Sequence, residues 1–471
     1  MKKILLFTLA FAIGLTLYSQ TAWDPIQNID PAVGTDPYVI SSGDLDGDTD
    51  IDLVVGTFSF SNDIIKWYAN DGVGNFTLQA TVSTMGSLNG VGGLAIADLD
   101  GINGNDIITV SYSDNSLIWY ANDGLGGFSA EQVISTAVGG AGQVTITDIN
   151  NDGDIDISVA AYAGNEAVWF PGNGDGTFGS KQIIASVPLP GNLSFADFDN
   201  DGDLDALIGF DDGAGGTSGT IEIYYNQYIE SGTMTVSWIK DTVTVDSSNP
   251  YLFVAAFADI NDDGTLEIVK SDNSSGEVAW YSKIKNGVST ETMISNASLI
   301  TRPAVVMVTD LDNDGFNDVI LTDGASGDDA IIWFESTDMG GLNTEALIAD
   351  HNYQLYGVTV GDFDADGDKD IASVGFFSET LDWYENRLET LSTDDFSIET
   401  ISIYPNPAKN ILNFKGVTSE TLNIKVFDIL GKSVINTVIE QNGRLDISVL
   451  TSGIYIIKFE NYNVTYKFVK E

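Results

Sequence analysis

The chain has 471 residues, with 19 basic against 69 acidic side chains, a single histidine (His351) and no cysteine, so its formal charge is −50. Such a surface repels phosphate backbones and argues against a nucleic-acid partner. The missing cysteines exclude disulfides, thiolate metal sites and cysteine nucleophiles, and one histidine excludes multi-histidine metal centres.

An apolar fraction of 43%, with 49 glycines against 10 prolines, describes a folded, turn-rich β protein rather than a disordered acidic chain. The charge is uneven: residues 1–20 carry Lys2 and Lys3 and no acid, residues 21–390 carry 9 basic and 60 acidic side chains, and residues 391–471 carry 8 and 9. Three differently built segments follow from this.

In the first, the apolar run Ile4–Leu17 follows the two lysines. It is too short to span a bilayer and suits the core of a secretory signal, so residues 1–20 are expected to be a signal peptide cleaved near Ser19 or Gln20. No later stretch reaches eighteen apolar residues, and no transmembrane span is expected in the mature chain.

The second segment repeats itself, and the repeat governs every local reading. Its copies are DLDGDTDID from Asp44, DLDGINGND from Asp98, DINNDGDID from Asp148, DFDNDGDLD from Asp197, DINDDGTLE from Asp259, DLDNDGFND from Asp310 and DFDADGDKD from Asp362, starting 49 to 62 residues apart. An aromatic pair keeps step with them: Trp67-Tyr68, Trp119-Tyr120, Trp169-Phe170, Tyr224-Tyr225, Trp280-Tyr281, Trp333-Phe334 and Trp383-Tyr384. In the early copies a glycine turn comes next, as in NDGVGNF from Asn70.

Each copy therefore reads as one strand into the acidic loop, a second out of it, a third bearing the aromatic pair and a fourth after the turn. Four strands at this period predict propeller blades, seven in number. The last copy lacks its fourth strand, and WDPIQNID from Trp23 is expected to supply it, closing the ring and removing two open sheet edges. The fold class predicted is all-β: a seven-bladed propeller over residues 21–389, a linker at 390–400 and a small Ig-like sandwich at 401–471.

The acidic loops share D-x-[DN]-x-D-G-x-x-[DE]. Hard oxygens at alternate positions, with glycine at position 6 for a sharp turn, suit calcium. The candidate ligands at positions 1, 3, 5 and 9 are Asp44, Asp46, Asp48 and Asp52; Asp148, Asn150, Asp152 and Asp156; Asp197, Asp199, Asp201 and Asp205; Asp259, Asn261, Asp263 and Glu267; Asp310, Asp312, Asp314 and Asp318; and Asp362, Asp364, Asp366 and Asp370. In the Asp98 copy, Asp98, Asp100 and Asp106 remain but Ile102 stands at position 5, so about six calcium sites are expected. Position 7 would add its backbone carbonyl. An EF-hand is excluded because the last acid falls at position 9 and a β-branched strand follows.

These loops, the in-phase aromatic pairs and the glycine turns resemble the FG-GAP and VCBS repeat family, found in integrin α-subunit propellers and many bacterial surface proteins. The resemblance covers residues 21–386. It implies a seven-bladed propeller with calcium between the first and second strands of each blade, held by Asp197, Asp199, Asp201 and Asp205 and their equivalents.

The third segment alternates apolar and polar residues between PNP, GK and SG turns, as a small β-sandwich does. Its stretches ISIYPNPAKNILNFK from Ile401, LNIKVFDILGKSV from Leu422, LDISVLTSGIYIIKFEN from Leu445 and the terminal YKFVKE resemble the type A sorting domain of the type IX secretion system of Bacteroidota. That resemblance implies recognition by the type IX secretion machinery after passage through the periplasm, and delivery to the medium or the outer cell surface.

Two function classes stay open. One is a calcium-stabilised platform for binding or adhesion to a carbohydrate or protein. The other is an extracellular polysaccharide-degrading lyase or hydrolase built on the same propeller. A lyase acting on an anionic sugar finds little support in nine basic residues among sixty acidic ones. Any ligand site is expected on the face opposite the calcium loops, where Phe58, Phe60, Tyr112, Tyr162, Tyr251, Arg302, His351, Tyr353, Tyr356, Phe376 and Phe377 fall.

Overall fold

The computed structural model describes residues 21–388 and 402–471, apart from 60–62, 80, 84–87, 212–218, 229–234, 248–253, 272–276, 283–290, 297–302, 324–328, 338–340, 343–345, 352–353, 416–420, 430–431, 441–443 and 460–463. The expected signal peptide and linker lie outside the described residues. The chain forms two compact units, Met1–Glu389 and Thr390–Glu471. Every regular element among the described residues is a strand.

Among its described residues the first unit holds seven four-stranded antiparallel sheets. Their leading strands are Pro37–Gly43, Val91–Ala97, Ala141–Thr147, Pro190–Ala196, Val254–Ala258, Pro303–Thr309 and Leu355–Gly361. Each leading strand packs against the next, and Leu355–Gly361 packs back against Pro37–Gly43, so the succession closes on itself.

The second strands explain the packing. Asp52–Thr57, Asp106–Ser111, Asp156–Ala161 and Asp370–Gly375 are buried along their whole length. A strand covered on both faces must be nearly continuous in apolar residues, and after the initial acid these are. On the third strands, successive side chains point to opposite faces, so the aromatic pair gives one large ring to each neighbouring core. Trp67 joins the core shared with the second sheet, and Tyr68 the core shared with the seventh.

The fourth sheet corrects the sequence reading. In every other sheet the second member of the pair lies opposite the residue after the position-nine acid, as Tyr68 lies opposite Leu53 and Tyr384 opposite Ile371. In the fourth sheet Tyr224 takes that place, opposite Ala206. The structural pair is therefore Ile223-Tyr224, and Tyr225 turns to the core shared with the fifth sheet.

The seventh sheet takes its outer strand from the other end of the segment: Gln27–Asp30 pairs with Leu381–Trp383. Residues 23–30 do not form one strand, however. Thr21–Trp23 pairs separately with Asn386–Leu388, and the break falls around Pro25, which has no N–H to give a ladder.

The second unit contains two antiparallel sheets, one of Ser402–Tyr404, Ile411–Lys415 and Arg444–Asp446, the other of Ser433–Glu440, Thr421–Asp428, Gly453–Phe459 and Val464–Lys470. Leu412, Phe414, Ile424, Val426, Leu445, Ile457 and Phe468 form their common core.

Candidate metal centres

Each acidic loop is laced by its own carboxylates. The position-six N–H donates to the position-one carboxylate in six copies: Thr49 to Asp44 (3.1 Å), Gly153 to Asp148 (2.9 Å), Gly202 to Asp197 (3.2 Å), Gly264 to Asp259 (2.9 Å), Gly315 to Asp310 (3.0 Å) and Gly367 to Asp362 (3.1 Å). Position 3 accepts from the N–H of position 5, as Asn150 does from Asp152, and position 5 from that of position 7, as Asp314 does from Phe316. These bonds wind the short loop so that its side-chain oxygens share one side.

The winding needs left-handed backbone twice. Position 6 has φ of 93° at Gly153 and 98° at Gly202. Position 4 has it too, at Gly47, Gly101, Asn151, Asn200, Asp262, Asn313 and Ala365. The sequence reading named only position 6, although the run of Gly, Asn and Asp at position 4 carries the same signal.

Carboxylate oxygens converge to within 4.8 Å of one another in the groups Asp44-Asp46-Asp48, Asp98-Asp100-Asp106, Asp197-Asp199-Asp201, Asp310-Asp312-Asp318 and Asp312-Asp314-Glu335. Two of the oxygens involved in these loops, Asp46 Oδ1 and Asp362 Oδ1, are buried with no hydrogen-bond partner. A buried carboxylate oxygen without a donor is costly, and a hard divalent cation relieves it. The donor set, all oxygen and largely anionic, fits such a cation. The Asp98 loop converges through Asp98, Asp100 and Asp106 despite Ile102. Glu335, the residue after the aromatic pair in the sixth sheet, is an added acid that the nine-residue spacing does not contain.

The position-nine acids have a further task. Asp52, Asp106, Asp156, Asp205, Asp318 and Asp370 are fully buried, and each accepts at least two backbone N–H bonds, Asp205 taking a third from Asp199. One oxygen takes the N–H of position 2, and the other takes the N–H two residues beyond the aromatic pair. At Asp156 the donors are Ile149 (2.9 Å) and Gly172 (2.8 Å); at Asp370 they are Phe363 (3.1 Å) and Asn386 (2.8 Å). Glu267 keeps the first bond, from Ile260 at 3.1 Å.

Burial pushes these carboxyls up, to about 6 at Asp106 and Asp156 and to about 7 at Asp52, Asp205, Glu267, Asp318 and Asp370. Backbone donors pull the other way, and the neighbouring loop carboxylates add to the rise. Asp312 is likewise raised to about 7 by burial and by Asp318 and Asp314.

The ties made by four asparagines escaped the sequence reading. Asn70, Asn122, Asn226 and Asn386 each send Nδ2 to the position-two carbonyl of the preceding sheet's loop: Phe363 (2.7 Å), Leu45 (2.6 Å), Ile149 (3.0 Å) and Leu311 (3.0 Å). Each loop is thereby tied to the next sheet, and Asn70 carries the tie across the closure. The signal was an Asn two residues beyond the register-defined pair in four copies.

At the other end of the sheets, the expected aromatics gather. Phe58, Tyr112, Tyr356 and Phe376 form a linked set of rings around Tyr38, with centroid separations of 4.9 Å for Tyr38–Phe58 and 5.2 Å for Tyr38–Tyr356. Phe377 sits on Phe376 and is exposed. His351 is the last residue of an outer strand, opposite Asp329. Phe60, Tyr251, Arg302 and Tyr353 lie outside the described residues.

Family models match two parts of the chain. An FG-GAP-like repeat matches residues 103–159, 148–208 and 310–373, and a secretion system C-terminal sorting domain matches residues 402–471. No curated protein matches. Among solved structures the chain is similar to the β-propeller BBS1N, crystallised in complex with ARL6DN and soaked with lead, at 11% identity and a TM-score of 0.51, over 79% of this chain and 98% of that one. That likeness concerns the fold alone. The chain also matches an Agrocybe aegerita lectin, described for recognition of non-reducing terminal N-acetylglucosamine, at 17% identity and a TM-score of 0.43, over 73% of this chain and 85% of that one. This all-β chain thus carries FG-GAP-like repeats in a propeller-like fold, followed by a type IX sorting domain that directs its export to the cell surface or beyond.

Proposed function

We propose that the mature protein is a secreted or surface-attached binding module: a seven-bladed propeller held together by calcium, presenting one face to a carbohydrate or protein ligand. Residues 1–20 serve as the signal peptide, residues 21–389 as the propeller and residues 401–471 as an Ig-like sorting domain read by the secretion machinery. The observation that carries this reading is the repetition of one carboxylate loop at the same end of every sheet in a closed succession of seven. Its repeated, buried oxygens are what a calcium-stapled ring requires, in a chain without disulfides.

Calcium at tenfold its dissociation constant adds about 1.4 kcal/mol for each independent site, so six sites add roughly 8 kcal/mol. The test is thermal unfolding of the chelated chain at neutral pH, with and without millimolar calcium. A rise in Tm of about 10 °C or more is expected, with magnesium giving less. An unchanged Tm would remove calcium from the reading.

A further inference from the structure

The leading strands repeat a second feature, at the end away from the acids. In six sheets the register shifts at the strand's start, leaving one bulged residue: Tyr38, Gly92, Gly142, Gly191, Ala304 and Tyr356. A bulge re-aims its side chain and bends the strand. Here the bulged residues line one central cavity of about 550 Å³, within the range of about 300–1,000 Å³ typical of small-ligand sites.

The repeat is broken in size at this position. The first and seventh sheets place tyrosines there, and the second, third, fourth and sixth place glycine or alanine. The result is a space walled on one side by Tyr38, Tyr356, Phe58, Tyr112 and Tyr162, and by smaller residues such as Gly191, Val254 and Ala304 elsewhere in its described lining. Gly92 is small for a packing reason, since a Cβ there would meet the Ala141 carbonyl oxygen at 2.6 Å. Gly142 is not: a Cβ there would meet nothing within 4 Å.

Polar groups complete the wall. Gln143 accepts the Leu193 N–H at 2.6 Å and Asn192 accepts the Ala255 N–H at 3.2 Å, which fixes both amides. Their NH₂ groups have no hydrogen-bond partner among the described residues, and both residues line the cavity. None of the described lining residues is charged.

Resting on the binding-module reading, we infer that this cavity is the ligand site and that it takes a short neutral oligosaccharide. Aromatic rings on one side suit the apolar faces of sugar rings, and fixed amide donors suit hydroxyl and ring oxygens. An anionic sugar would meet the field of a chain carrying −50 with no cation in the described wall. An organic cation also suits aromatic faces, but a small one such as choline carries a single hydroxyl acceptor for the two amides of the wall, where a sugar carries many.

The test uses the full mature chain with calcium, titrated calorimetrically with gluco-, manno- and xylo-tetrasaccharides, and with an oligogalacturonate and choline as counter-probes. At least one neutral tetrasaccharide is expected to bind, with affinity lowered at least about tenfold by Gly142→Phe, which fills the space, and by Tyr112→Ala, which removes a ring. Tm of each variant reports folding, and Tyr112→Ala decides alone if Gly142→Phe does not fold. If no neutral probe binds, the inference fails. Choline or the uronate binding in preference overturns the ligand class. Sugar binding that survives both substitutions overturns the site while leaving the binding-module reading in place.

Discussion

The two ends of the same seven leading strands follow opposite rules. At the acid end the residue types recur nearly unchanged, from Asp44 to Asp370, and the same hydrogen bonds recur with them. At the other end the backbone bulge recurs but its side chain swings from tyrosine to glycine. Repetition serves the shared task of bracing seven sheets in a ring. Variation around a common bulge makes one lopsided cavity from a nearly symmetric scaffold. Stability should therefore report changes at the first end, and ligand affinity changes at the second.

The largest expected effect is that of pH on the acid end. The position-nine carboxyls sit at about 6 to 7 in the folded chain, against roughly 4 in an unfolded one. A folded-state pKa above the unfolded value means stability that is fully present below about pH 4 and is lost as pH rises through 6 to 7. In chelator, Tm is expected to fall by ~10 °C or more between pH 5 and pH 8. Calcium selects the charged form, so it should flatten or reverse that slope and release protons on binding near pH 6. A chelated chain that grows more stable from pH 5 to pH 8 would contradict the burial of these acids.

A single brace comes next. Asp156→Ala leaves the N–H groups of Ile149 and Gly172 without their acceptor and empties a buried site. In calcium it is expected to lower the unfolding free energy by about 3–5 kcal/mol. Asp154→Ala, two residues away and only half-buried, should cost under about 1 kcal/mol. Denaturant unfolding of the two variants gives the comparison, and equal losses would mean that position 9 braces nothing.

How much of this the sequence could reveal depends on the range of each interaction. The four-strand period and the acid spacing are local, so they stood out in the chain. The aromatic pair at Tyr224-Tyr225 misled because ring identity was read where hydrogen-bond register decides, and register places Ile223 and Tyr224 there. The ties from Asn226 to Ile149 and from Asn386 to Leu311 join residues 77 and 75 apart, a distance over which no local pattern speaks. The cavity was hidden for another reason. Its polar wall comes from Gln143 and Asn192, one from each of two neighbouring leading strands, and its room comes from side chains that are missing.

The smallest expected effect lies in one of the two acidic loops without glycine at position 6, the other being the second, where Asn103 has φ of 65°. Thr49 stands there with φ of 82°, where five other copies have glycine at 80° to 99°. A β-branched residue held left-handed costs about 1–3 kcal/mol, while glycine costs up to about 1 kcal/mol through the freedom of the unfolded chain. The Thr49 N–H bond to Asp44, at 3.1 Å, is a backbone bond and survives substitution. Thr49→Gly is therefore expected to gain about 1 kcal/mol and raise Tm by a degree or two. The mirror variant Gly153→Thr should lose about 1–3 kcal/mol although a Cβ at Gly153 meets nothing within 4 Å, so its loss reports the backbone alone. If calorimetric unfolding in calcium shows Thr49→Gly equal to wild type while Gly153→Thr loses the expected amount, then the first loop is not wound like the others, and the tally of calcium sites falls to five.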